Sequence, residues 1–226
     1  MTESRSRTWV RWLRRVGIAA VLLVVLFVFG WVPYFFGGLA TTRRFQFPDK
    51  ENGGLTPASF DLPFEDVSFR SPDGVELHGW WVPADEPVGT VVMVHGLNRT
   101  RVEMVKKTPF VHERGWNTLL FDLRHHGESG GEATTFGVRE KDDVGAAIDL
   151  ARGRSPGTVV LWGISLGAAS VVLAASEDTG VAGVISDSSF RDLRDTVAHH
   201  IRLFRRWRWW LRAVPAWPVT DEVLFW

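Results

Sequence analysis

Charged residues vanish over residues 16–36, VGIAAVLLVVLFVFGWVPYFF, and the apolar side chains there leave no polar face. A helix of that length rises ~31 Å, enough to cross a hydrocarbon core. A buried helix of a globular domain would keep some polar positions on one side. Beyond residue 60 the pattern changes to short apolar runs alternating with helical spacing. Runs at 66–70, 75–82, 88–94, 117–122, 159–162 and 181–185 read as strands. The first two are joined by Ser71-Pro72-Asp73-Gly74, a turn sequence that makes them an antiparallel pair. Residues 100–113 and 136–152 read as helices, the second with Val144, Ala147, Ile148 and Ala151 on one face. Repeated strand and helix predict an α/β domain whose mostly parallel central sheet carries helices on both faces.

Four segments follow: residues 1–15 as a basic tail, 16–36 as a transmembrane helix, 37–60 as a linker and 61–226 as the folded domain. The tail has Arg5, Arg7, Arg11, Arg14 and Arg15 against a lone Glu3. Basic residues favour the cytoplasmic side, so the amino terminus is expected there and the domain on the extracytoplasmic side of a single-pass anchor. Trp31 and Tyr34 suit the far interface. A cleaved signal peptide is the competing reading, with Gly38 and Ala40 near a cleavage site, but its apolar core would exceed the ~7–15 residues usual for such signals. Gly37-Gly38, Pro48, Gly53-Gly54 and Pro57 give the linker its irregular character.

Within the domain, the stretch 158–176, TVVLWGISLGAASVVLAAS, joins a strand covered on both faces to a helix through Gly163-Ile164-Ser165-Leu166-Gly167. Such a turn lifts one side chain off the sheet, requires a positive φ at the serine, and leaves no room for a Cβ at either glycine. The alternative is an ordinary glycine-flanked loop serine. His95, Asp122, Ser165 and Asp187 all fall at carboxyl ends of strands, where open α/β sheets place their sites.

Composition narrows the chemistry. Basic and acidic residues balance at 26 each, which gives no footprint for nucleic acid. There is no cysteine, so disulfides and thiolate metal sites are excluded. No H-E-x-x-H run, clustered carboxylates, Walker loop or dinucleotide fingerprint stands in a suitable setting, so neither metal nor cofactor is expected.

Three motifs give the chain a resemblance to the α/β-hydrolase superfamily, in its membrane-anchored and peptidase-like serine hydrolase branch. They are the turn 163–167, His95-Gly96-Leu97 after the third strand, and Asp122-Leu123-Arg124-His125-His126-Gly127-Glu128-Ser129-Gly130-Gly131. The last is similar to a D-x-R-G-H-G-x-S-x-G loop, with His125 where glycine is usual. The resemblance implies that Ser165 is the nucleophile of an acyl transfer to water, on an ester, thioester or amide of a small-molecule or peptide substrate. It also implies that the backbone N–H groups of Leu97 and Leu166 form the oxyanion hole. A serine hydroxyl needs a neighbouring imidazole to take its proton and a carboxylate to orient that imidazole.

The superfamily order is serine, acid, histidine, with the last two usually after the seventh and eighth strands. Only about 40 residues follow the sixth strand here, and they look helical and aromatic. The expectation is therefore a hydrolase truncated at the carboxyl side, ending in the lid region with the last two strands missing. Its alternative is a non-catalytic, membrane-tethered binding or remnant protein that lacks the base. Asp187 stands where a minority of the superfamily places its acid, although its type and place read first as a residue that orders its own loop or caps the following helix. His199 and His200 follow in the right order but lie beside Arg202, Arg205 and Arg206 on a helical stretch, an ordinary solvent-facing setting. His95 reads as a loop-ordering donor, and His125 and His126 as braces of the loop after the fourth strand. The tail 201–226 mixes arginine with Trp207, Trp209, Trp210 and Trp217, which suits either a lid on lipid headgroups or a cap helix. Sequence gives no handle on oligomeric state.

Overall fold

The computed structural model of the chain describes residues 2–32, 34, 35, 38, 54–192, 195, 196, 198, 199 and 202. Two compact units result, one of residues 41–193 and one of residues 1–40 with 194–226. The body of the linker at 39–53 and the aromatic tail, apart from Arg202, lie outside the described residues.

In the second of these units, helix α1 spans Thr2–Leu26 and continues through a π-helical turn at Phe27–Trp31. The residues expected to form a separate basic tail are thus helical from Thr2 onward. The stretch Arg11–Trp31 is long and apolar enough to cross a membrane, with mean hydropathy 2.2 and none of it buried. Phe27 stacks on Trp31 and Trp31 on Phe35, with ring centroids 5.1 and 5.0 Å apart, as side chains four residues apart on a helix do.

The larger unit is built on a six-stranded sheet of order β1-β2-β4-β3-β5-β6. The strands are β1 (Glu65–Arg70), β2 (Glu76–Val82), β3 (Gly89–Val94), β4 (Trp116–Phe121), β5 (Thr158–Ile164) and β6 (Val181–Asp187). β1, β2 and β4 are joined antiparallel, while β4, β3, β5 and β6 run parallel. β3 is buried at every position, which is why Thr90 is its one polar side chain. Its side chains still alternate between faces. Val92 and Val94 join Leu119, Phe121 and Leu161 under helices α4 (Glu140–Arg154) and α5 (Leu166–Glu177). Val91 and Met93 join Trp80, Val82 and Leu120 beneath α2 (Val102–Val105) and α3 (Thr108–His112). Helices therefore cover both faces, as the alternation of elements predicts.

Three departures have local causes. The single helix expected over 100–113 is two short ones, because Pro109 has no N–H to give the carbonyl of Val105 and its ring crowds that turn. The helix expected from residue 136 begins at Glu140. Phe136 and Gly137 have φ of 54° and 107°, and the Glu140 carboxylate accepts from the amides of Thr135 and Gly137 and from the hydroxyls of Thr134 and Thr135. Residues 54–60, read as the end of the linker, belong to the fold: Pro57–Phe60 form a 3₁₀ turn with Pro57 buried, and Leu55 packs on the second core cluster.

Candidate active site

β3, β4, β5 and β6 end level with one another. Val94 is in register with Phe121 and with Gly163, and Ile164 with Asp187. His95, Asp122, Ser165 and the end of β6 accordingly share one edge of the sheet. Ser165 stands between the last residue of β5 and the first of α5 with φ 51° and ψ −109°, a conformation that favours glycine. Two hydrogen bonds and the close packing at two glycines hold it there. Its N–H donates to the carbonyl of Asp187 at 2.8 Å, and its carbonyl accepts from the N–H of Ala169 at 3.0 Å. A Cβ at Gly163 would meet the carbonyl of Gly167 at 2.3 Å, and one at Gly167 would meet the carbonyls of Val94 and His95 at 2.5 Å. The turn is thus clamped between its own helix and the neighbouring strand, and strain of this kind persists only when the surroundings over-determine it. Ser165 is half-buried, and among the described residues its hydroxyl makes no hydrogen bond.

The loop after β3 passes directly over this serine. A Cβ built on Gly96 would lie 3.5 Å from the Cβ of Ser165. Side chains from elsewhere fix the two amides flanking Leu97. Gly96 N–H donates to Glu103 Oε2 at 2.7 Å, and Asn98 N–H donates to His126 Nε2 at 3.1 Å. The Leu97 N–H between them has no partner among the described residues. Leu166 N–H, the first of α5, belongs to the set that a helix cannot satisfy internally.

The neighbouring loop is organised by buried polar groups. His95 is fully buried; its Nδ1–H donates to the Gly96 carbonyl at 2.8 Å and its Nε2 accepts from Leu123 N–H at 3.0 Å. Burial first, then the nearby His126 and Arg101, push its pKa down to about 3, so it is neutral. His126 Nδ1–H donates to the Arg124 carbonyl at 2.8 Å, and burial holds its pKa below the ordinary histidine value. The two rings lie 5.0 Å apart. Both histidines order loops, the role their sequence position suggests. His125, where glycine is usual, has φ 62°, which accounts for that preference.

The Asp122 carboxylate accepts from the N–H and Nη1 of Arg101 at 2.6 and 2.7 Å and from Glu128 N–H at 3.0 Å. Gly127 is required beside it, since a Cβ there would lie 2.1 Å from Oδ2. Arg124 is 3% exposed and bonds Asp143, Asp73 and Ser71 together. Burial works against its charge, yet these carboxylates leave its pKa raised; burial likewise pushes that of the enclosed Asp143 up. Asp187 ends β6 as expected, with its side chain exposed and its Oδ1 accepting from the Ser188 hydroxyl at 2.8 Å. His199 is described and exposed, whereas His200 lies outside the described residues. No group of three or more metal-ligating side chains occurs among the described residues.

Sequence reasoning passed over Arg101 and Glu103. Two acids, Asp122 and Glu128, in one loop do call for a cation, but nothing in the sequence says it comes from 21 residues earlier.

Comparisons agree with this architecture. The model of the serine aminopeptidase S33 hydrolases matches residues 85–225. YfhR of Escherichia coli K12 is 32% identical over 179 residues, covering 75% of this chain and 61% of that protein. YqkD of Bacillus subtilis is 28% identical over 177 residues, covering 76% and 55%. The chain thus spans little more than half the length of these curated relatives. Among solved structures, the Pyrococcus furiosus esterase Pf2001 superposes with a TM-score of 0.66 at 29% identity, covering 76% of this chain and 66% of its own. With its motifs, sheet order and serine turn in place, the chain belongs to the serine aminopeptidase S33 family of the α/β-hydrolase superfamily.

Proposed function

We propose that the chain is a serine hydrolase, held at a membrane by its N-terminal helix, that cleaves an ester, thioester or amide through an acyl-enzyme on Ser165. The observation that carries this reading is the backbone of Ser165 at φ 51°, fixed by glycines whose replacement would drive a Cβ into backbone atoms. The Ser165 oxygen attacks the acyl carbonyl carbon while its proton passes to a histidine base. The resulting oxyanion accepts from the N–H groups of Leu97 and Leu166, a donor of this kind lowering the barrier by about 3 kcal/mol. Collapse expels the leaving group, and water attacks the acyl-enzyme by the same route. The ester class has the support of the Pyrococcus furiosus relative, an esterase. Asp187, at the carboxyl end of β6, is the carboxylate proposed to orient the base. The base itself is assigned to a histidine other than His95 or His126, because the ring nitrogens of both are already bonded within the fold.

That last observation also favours a second reading, a membrane-tethered protein that keeps the fold without catalysis. A fluorophosphonate probe on the full chain in detergent separates the two. Labelling of the wild type that Ser165→Ala abolishes supports the hydrolase; a folded but unlabelled wild type supports the second reading. For topology, protease added to intact cells should cleave after residue 36, and protection of that region would overturn the extracytoplasmic placement.

A further inference from the structure

Glu103 occupies an unusual place for a carboxylate. It lies on α2, seven residues beyond the loop that passes over Ser165, and its side chain is 20% exposed. Its Oε2 accepts the Gly96 N–H at 2.7 Å, and its Oε1 stands 3.8 Å from Nε of Arg99. The point where a Gly96 Cβ would sit is 3.4 Å from Oε2 and 3.5 Å from the Cβ of Ser165. A negative charge this close to a developing oxyanion opposes catalysis unless it performs some other task.

The task is visible in the loop. Without an acceptor, the Gly96 amide would be a buried donor in search of one, and rotation of the 95–96 peptide would tilt the 96–97 peptide behind it, whose N–H is that of Leu97 and whose carbonyl accepts from His95 Nδ1–H at 2.8 Å and Arg99 N–H at 3.2 Å. His126 fixes the amide on the other side, at Asn98. With both neighbours tied, the Leu97 N–H is the one left to face a ligand. We propose that Glu103 is a positioning residue for the oxyanion loop: by accepting the Gly96 N–H it fixes the 95–96 peptide, and through Gly96 the start of the 96–97 peptide whose Leu97 N–H is aimed at the reacting carbonyl oxygen. This rests on the hydrolase reading above and identifies one of the groups that sets its geometry. Arg99 offsets part of the carboxylate's charge.

The hydrogen bond and the charge separate by substitution. Glu103→Leu removes both; Glu103→Gln keeps an amide oxygen able to accept from Gly96 and removes the charge. Inactivation of the full chain in detergent by a fluorophosphonate gives kinact and KI separately for wild type and the two variants. The expected result is a kinact for Glu103→Leu lower by roughly 10- to 100-fold, the scale of a donor misplaced by about an ångström. KI should be unchanged within about threefold, and Glu103→Gln should recover most of the lost kinact, as expected where an acceptor rather than a charge is needed. Hydrogen exchange at the Gly96 amide supplies a readout independent of reactivity, faster in Glu103→Leu than in Glu103→Gln. Equal kinact in Glu103→Leu and a labelling wild type would overturn the positioning role and leave the hydrolase reading intact. A wild type that does not label would overturn both. Loss of kinact that Glu103→Gln fails to recover would overturn the acceptor argument.

Discussion

Acid should loosen the fold through His95, and replacing that side chain with glutamine isolates the effect. His95 is fully buried between β3 and the loop after β4, and the groups facing it, His126 and Arg101, both disfavour a positive charge. Its pKa is about 3 in the folded protein against 6.5 when exposed. A depressed folded value means the stabilising term is complete above pH 6.5 and is lost as pH falls toward 3, because only the unfolded chain binds the proton in that window. Each pH unit across it removes about 1.4 kcal/mol, so from 6.5 to 4 this one group withdraws roughly 3 kcal/mol. A glutamine at position 95 can still accept the Leu123 N–H but does not titrate. It forgoes the donor to the Gly96 carbonyl, which costs on the order of 1 kcal/mol at neutral pH. Denaturant unfolding of the full chain in detergent, at pH 7.5, 6, 5 and 4, should show His95→Gln less stable at the top of the range. The variant should lose stability less steeply below pH 6.5, by about 1.4 kcal/mol per pH unit. Parallel profiles for the two proteins would refute the assignment of a neutral, proton-excluding His95.

Arg124→Met should cost about 3–5 kcal/mol in the same unfolding assay, because it strands the Asp143 carboxylate, which is 0% exposed, with little more than the Arg124 amide for company. The double variant Arg124→Met, Asp143→Leu should recover a large part of that loss, and no recovery would mean that the network is not the cause. At the serine turn, Gly167→Ala should destabilise by about 1–3 kcal/mol or prevent folding, since its methyl would overlap two backbone carbonyls at 2.5 Å. Gly145→Ala, in the interior of α4 with nothing within 4 Å, should instead stabilise by about 0.5–1 kcal/mol. Thermal melts of both variants decide the point, and similar effects would contradict the packing described at the turn.

What could be read from sequence divides along a physical line. The parallel strands and the serine turn were legible because their causes are local: β3 had to be apolar to be covered on both faces and β5 to be covered fully on one and partly on the other, and the glycines at 163 and 167 answer to atoms at most a strand away. Helix ends were less so. Pro109 was visible, yet whether a proline kinks a helix or cuts it depends on neighbouring packing, and the start of α4 is set by a buried glutamate gathering four donors from the preceding loop. The braces of the loop after β3 were not legible at all. Glu103 and His126 reach Gly96 and Asn98 across 7 and 28 residues, and neither type of residue announces an acceptor for a backbone amide.

The same division explains the distribution of charge in the domain. Asp122, Arg124, Asp143, Glu140 and Arg101 are all nearly inaccessible, a costly arrangement compared with apolar side chains of similar size. Their bonds reach the turn at 71–73, the loops at 95–101, 122–131 and 134–137, and one another, rather than the strands. An apolar core can fill space beneath a loop but cannot choose which way a peptide N–H points, whereas an acceptor of fixed position can. Loops whose peptides are held in particular orientations at the carboxyl edge of the sheet therefore need buried polar anchors. Their strands, which only need to be covered, do not.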